Sequence, residues 1–307
     1  MKGILTYAPA SFIERLVSFF LLPILTKIVT PTEYAIWWQS VIIAGILIPV
    51  ILLKFETSVV KFFPNWNSQN KKENSVILFM LILILFLSCL VATIALVFDE
   101  QIAFLIFGDY KLSLYIPIVV GLLLSELLFE FLIALLLISN RISNISIYII
   151  MKSVWRLAII TLVLKGTDSN FYLAFWSFVL FQLVVTFGLF VWEINLFSLI
   201  KVGLKKSRSN WVKILKFSLP LVPFIILMMT HNFVDRFIIT HFLGLDSLAI
   251  YSAAFSLAAI ITFFHSTISF MLFTELSKKW ANKNKAYIIN LLKKIFTAYL
   301  ALTIPFL

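Results

Sequence analysis

Long uninterrupted apolar runs, separated by short clusters of charged and turn-forming residues, set the rhythm of this chain. Residues 75–97 and 112–138 are examples. Each is close to the roughly 20 residues a helix needs to cross a hydrocarbon core, and neither alternates with period two as a barrel strand would. Reading apolar stretches between breaks predicts nine membrane-spanning helices, at 4–29, 36–56, 75–98, 112–138, 143–164, 170–200, 214–241, 247–272 and 287–307. The fold expected is all-α and integral to a membrane. The ninth run stops in apolar sequence, Ala301-Leu302-Thr303-Ile304-Pro305-Phe306-Leu307, which reads as a truncated end.

The breaks alternate in chemistry. Those after helices one, three, five and seven hold Lys27, Lys111 and Lys165 as their only Lys or Arg. The N-terminus and the breaks after helices two, four, six and eight, with their flanks, hold 18 of the 25 Lys and Arg residues. Basic loops stay on the cytoplasmic side, so the N-terminus is expected there. The pattern also restarts. Pro9 and the turn Thr30-Pro31-Thr32-Glu33-Tyr34-Ala35-Ile36-Trp37 have counterparts in Pro220 and Leu243-Gly244-Leu245-Asp246-Ser247-Leu248-Ala249-Ile250-Tyr251. Each turn leads through another span to a basic loop, at 65–74 and 278–285. The organisation expected is a six-helix bundle over 1–200, a basic cytoplasmic linker over 201–213, and the first three helices of a repeat-related bundle over 214–307.

Composition supports the membrane reading. The 307 residues are 62% hydrophobic and 13% charged, with a mean hydropathy of +1.06, whereas a soluble chain carries about 25% charge. The net charge of +11 is spread over short loops, with no basic domain to hold a nucleic acid. Cys89 is the only cysteine, which excludes a disulfide or thiolate metal site within one chain. Glu14 and Arg15 interrupt the first apolar run, so it reads as a retained helix and not a cleaved signal. Trp37, Trp38, Trp66, Trp211 and Trp280 fall at span ends, as an interfacial belt requires.

Charges inside spans cost roughly 2.5–3.5 kcal/mol each on the insertion scale, so each needs a reason. They are Glu14, Arg15, Glu126, Glu130, Lys152, Arg156, Asp235 and Arg236. Glu126 and Glu130 share a face of helix four, and Lys152 and Arg156 share one of helix five, because residues four apart are neighbours. Measured from a turn near Arg141, antiparallel packing sets Glu130 level with Lys152 and Glu126 level with Arg156. This arrangement is read either as an ion-pair ladder that makes the hairpin insertable, or as the wall of a polar cavity. Glu14 and Arg15 lie near mid-depth, whereas Asp235 and Arg236 lie late in helix seven, where an outer gate or interfacial snorkelling fits them.

The early proline, the turn Thr30-Pro31-Thr32-Glu33-Tyr34-Ala35, the loop Phe62-Phe63-Pro64, and Asp235-Arg236-Phe237-Ile238-Ile239 ahead of Leu243-Gly244-Leu245-Asp246-Ser247-Leu248 give the chain its likeness. It resembles the polysaccharide flippases called Wzx, of the multidrug/oligosaccharidyl-lipid/polysaccharide exporter superfamily, along essentially its whole length. The resemblance implies two six-helix bundles around a V-shaped cavity, in the plasma (inner) membrane of a bacterium. It implies translocation of an undecaprenyl-pyrophosphate oligosaccharide from the cytoplasmic to the outer leaflet by alternating access. About nine helices here, against twelve or more in that family, leave the second bundle incomplete. Under the resemblance Arg15, Lys152 and Arg156 become candidate pyrophosphate contacts, since Arg grips two phosphate oxygens at once. Glu14, Glu126 and Glu130 become candidates for ion coupling or salt bridges, and Asp235 and Arg236 for the outer gate.

The partners expected are membrane lipid, the lipid-linked oligosaccharide and other polysaccharide-assembly membrane proteins, with no nucleic acid and no cofactor. An enzyme is not expected. His231, His241 and His265 are scattered without metal spacing, and no glycine-rich phosphate loop or serine elbow occurs. A cation-coupled drug antiporter of the same superfamily is the closer rival, and a membrane polysaccharide polymerase or transferase the more distant one.

Overall fold

The computed structural model describes residues 2–62, 71–139, 141–166, 170–193, 208–281 and 296–297. Among these the secondary structure is helical, and the chain is an all-α integral membrane protein. The helices are α1 (Lys2–Ile28), α2 (Pro31–Ile51), α3 (Phe55–Phe62), α4 (Lys71–Val97), α5 (Asp99–Phe107), α6 (Ile116–Ile138), α7 (Ile142–Gly166), α8 (Phe171–Glu193), α9 (Arg208–Ser218) and α10 (Leu221–Ala281). A 3₁₀ turn, Tyr110–Tyr115, leads into α6. Among the described residues six helical stretches are long and apolar enough to cross a membrane: Pro31–Ile51, Asn74–Val97, Tyr110–Ile138, Ile142–Gly166, Phe171–Glu193 and Trp211–Ala258.

The turn Thr30-Pro31-Thr32-Glu33 is a helix start. The Thr30 hydroxyl accepts from the Glu33 backbone N–H, and the Glu33 carboxylate accepts from the Thr30 N–H at 2.8 Å. Two amides that no helical carbonyl can serve are thereby satisfied, and Pro31 presets the first helical φ. At its other end α2 follows Pro49 into a sharp break, where Leu53 and Lys54 take left-handed φ values of 50° and 52°. L-residues with a Cβ avoid that region. The expected span over 36–56 therefore divides into α2 and the start of the short α3. The expected break between spans seven and eight falls at Gly244, with φ 82° and ψ 173°, inside the otherwise continuous α10.

Contacts group the chain into two units, Met1–Ile250 and Tyr251–Leu307. In the first, α7 packs along α1 and α8, α6 packs on α8 and α2, and α9 packs on α3 and α4. Gly121 permits the close approach of α6 to α8: a Cβ there would lie 2.8 Å from the Val179 Cγ1. Small residues let membrane helices come together in this way. Trp37 on α2 meets Phe175 and Phe178 of α8 at 4.9 and 5.5 Å, and Phe131 of α6 meets Phe55 at 5.7 Å. Large side chains such as Phe86 and Leu162 remain exposed, as helix faces turned to lipid require. In the second unit the described residues are the rest of α10 and 296–297; in α10 Tyr251 stacks on Phe255 and Ser256 donates to the Ser252 carbonyl at 2.7 Å. The linker over 201–207, the basic residues 282–285 and most of the expected ninth span lie outside the described residues.

Candidate functional site

The polar centre of the first unit is built on α7, where Lys152 and Arg156 stand one turn apart on the same face. Lys152 is buried, and its Nζ donates to Glu126 Oε2 of α6 at 2.5 Å. The same ammonium lies 4.3 Å from the centre of the Phe129 ring, a second favourable partner for a desolvated cation. Arg156 turns to α1: its Nη2 donates to the Ser18 hydroxyl at 2.6 Å, and that hydroxyl donates in turn to the Glu14 backbone carbonyl at 2.9 Å. The Arg156 Nε is shielded and has no hydrogen-bond partner. On the α8 side Gln182 is fully buried, adjoins Glu126, and leaves both amide atoms without a well-formed hydrogen bond.

This pairing differs from the register expected from sequence, which set Glu130 level with Lys152. The hairpin turn spans Ser139 to Arg141, so its centre lies before Arg141 and Glu126 moves toward Lys152. Arg156 is drawn away because α7 packs mainly on α1, not on α6. Glu130, freed from the ladder, is exposed into a cavity of about 270 Å³ lined also by Gly45, Pro49, Leu52, Lys54 and Glu56. Lys54 and Glu56 close on each other there at 2.9 Å. Glu14 is half-buried on α1, and Arg15 beside it is exposed. Helix α7 thus ties Lys152 to Glu126 of α6 and Arg156, through Ser18, to the Glu14 carbonyl of α1.

Asp235 and Arg236 lie elsewhere, on α10. They bind each other at 3.2 Å, and Arg236 also donates to the Asn232 carbonyl at 3.0 Å while its guanidinium lies over Phe233.

One cluster was missed from sequence. Glu193, at the end of α8, accepts from Arg141 Nη1 at 2.6 Å, from Asn144 Nδ2 at 2.7 Å and from the Tyr148 hydroxyl. The signal was present as spacing, since positions 141, 144 and 148 recur on one helical face. Among the described residues no group of His, Cys, Asp and Glu is placed to hold a metal ion.

A family model described as "Polysaccharide biosynthesis protein" matches residues 1–274. No curated protein and no solved structure gives a match.

Proposed function

The chain belongs to the polysaccharide biosynthesis protein family, and on that premise we propose that it is a Wzx-type flippase. Its role in polysaccharide biosynthesis is then to carry an undecaprenyl-pyrophosphate oligosaccharide from the cytoplasmic to the outer leaflet of the bacterial inner membrane. It acts as a transporter and not as an enzyme.

The observation that carries this reading is the cation pair Lys152 and Arg156 inside a spanning helix. Each is held by a partner that an anion can replace. Ser18 is a neutral acceptor and the Arg156 Nε is unpartnered, so a diphosphate offers that guanidinium a stronger, charge-assisted bond. Lys152 is neutralised by Glu126. A phosphate competing for the ammonium leaves the Glu126 carboxylate to gain a proton or a cation, which couples cargo to an ion. Glu14 and Glu130 supply further carboxylates for that exchange. Arg15 is the third candidate contact for the head group, whose polyprenyl tail stays in lipid.

The test is deletion of the gene in its own cell, followed by measurement of lipid-linked oligosaccharide on each leaflet. Accumulation on the inner leaflet, loss of surface polymer, and rescue by the wild type but not by Arg156→Ala is the outcome expected. Normal flipping by both Arg156→Ala and Arg15→Ala overturns the site. Intact polysaccharide with altered cation or drug sensitivity transfers the assignment to an antiporter, and flipped but unpolymerised units transfer it to a polymerase.

A further inference from the structure

The break between α4 and α6 is not a plain loop. It folds into α5, which roots Ala103, Ile106 and Phe107 in the core and presents Phe104 and Leu105 outward. The helix ends on Gly108 in the left-handed conformation, φ 74°. From there the segment reaches α10 at two points. A Cβ on Gly108 would lie 3.2 Å from the Thr240 carbonyl oxygen, so the backbone itself rests against α10. Phe104, stacked on Tyr110 at 4.5 Å, meets the His241 ring edge-on at 5.6 Å. A third contact joins the same stretch of α10 to the start of α2: the Thr32 hydroxyl donates to Asp246 Oδ1 at 2.8 Å. Thr32 and Asp246 belong to the two turns that correspond in the internal repeat.

All three contacts fall between Thr240 and Asp246, around the helix break at Gly244. That glycine has φ 82°, and a Cβ added to it would meet nothing within 4 Å. The bonds are an exposed hydroxyl–carboxylate pair, an aromatic edge and a glycine approach, not an interdigitated apolar core. Small exposed contacts at a broken helix suit an interface that must part and re-form.

We infer that residues 99–115, docked on Thr240 and His241, act together with Thr32 at the start of α2, bound to Asp246, as one strap that closes the outward end of the transport path, and that the outward-open state requires release of these contacts at the Gly244 hinge. This rests on the transporter reading proposed above and assigns the closing contact to residues beyond Asp235 and Arg236. Intact contacts hold the outer end shut.

The experiment uses the protein in nanodiscs, in a Cys89→Ser background, with spin labels at Lys111→Cys and Phe242→Cys. Both positions are exposed on either side of the contact. Asp246→Ala removes the carboxylate that Thr32 binds, and His241→Ala removes the ring that Phe104 meets. Either change is expected to add a longer inter-label distance to the single short one. Unchanged distances in both variants, each eluting as folded protein, overturn the strap. A second arm joins Thr32→Cys to Asp246→Cys with a short bifunctional thiol reagent. Loss of flipping on cross-linking, restored when the linker is cleaved, is expected; cross-linked protein that flips at the uncross-linked rate overturns it. The distance arm reads the strap whatever the cargo is, so its failure and the failure of the flippase reading are distinguishable.

Discussion

At the scale of single residues, the Glu126–Lys152 pair is where stability and transport pull apart. Removing one charge leaves the other buried and unpaired, which costs about 3–5 kcal/mol, whereas replacing both by apolar groups of similar volume is often neutral. Lys152→Met is therefore expected to lower the melting temperature in nanodiscs, and Lys152→Met with Glu126→Leu to recover it. Neither variant is expected to recover flipping, because the phosphate contact is gone in both. A double variant no more stable than the single one contradicts the pairing. Much of this site was legible in the sequence: spacing by four put Lys152 and Arg156 on one face and Glu126 and Glu130 on another. The register was not legible. Counting outward from Arg141 misplaces the centre of the Glu126–Lys152 pairing, which falls at Ser139, and the packing of α7 on α1 leaves no trace in hydropathy. Ser18 was hidden for the same reason, since a serine inside an apolar run acquires meaning only from the helix it faces.

Among the elements, long apolar helices were readable because twenty consecutive apolar residues admit few other solvents than lipid. The short helices α3 and α5 were not. Phe55-Glu56-Thr57-Ser58-Val59-Val60-Lys61-Phe62 and Asp99-Glu100-Gln101 carry enough charge to pass for loop, and their helicity comes from packing on neighbours. Thr30-Pro31-Thr32-Glu33 served as a family mark in the sequence, and the structure gives it a mechanical cause, the capping box of α2. Thr30→Ala is expected to destabilise the protein by about 0.5–2 kcal/mol, read as a lower melting temperature, with Thr30→Ser retaining most of the wild-type value. Equal losses in the two variants would mean that the hydroxyl bond is not what starts the helix.

For the whole molecule the decisive quantity is which way round it sits, because the direction of transport depends on it. Of the basic breaks, one continues among the described residues into α9. That helix rests on α3 and α4, with Trp211 stacked on Phe79 at 4.2 Å and the Lys61 ammonium 3.8 Å above the Phe217 ring. Ile214 is buried on the packed face of α9, while Lys213 and Lys216 stand on the exposed one. An anionic cytoplasmic leaflet stabilises cations near its surface by about 1 kcal/mol each, which is the argument for an inward-facing α9. The stretch of α10 around its break at Gly244, residues 237–250, carries no Lys or Arg. In a Cys89→Ser background, a membrane-impermeant maleimide added to intact cells is expected to label Phe242→Cys directly. It is expected to label Lys213→Cys only after permeabilisation. The reverse pattern inverts the molecule, turns the strap inward and makes the proposed export an import; labelling of both positions from outside breaks the link between basic charge and orientation on which the direction rests.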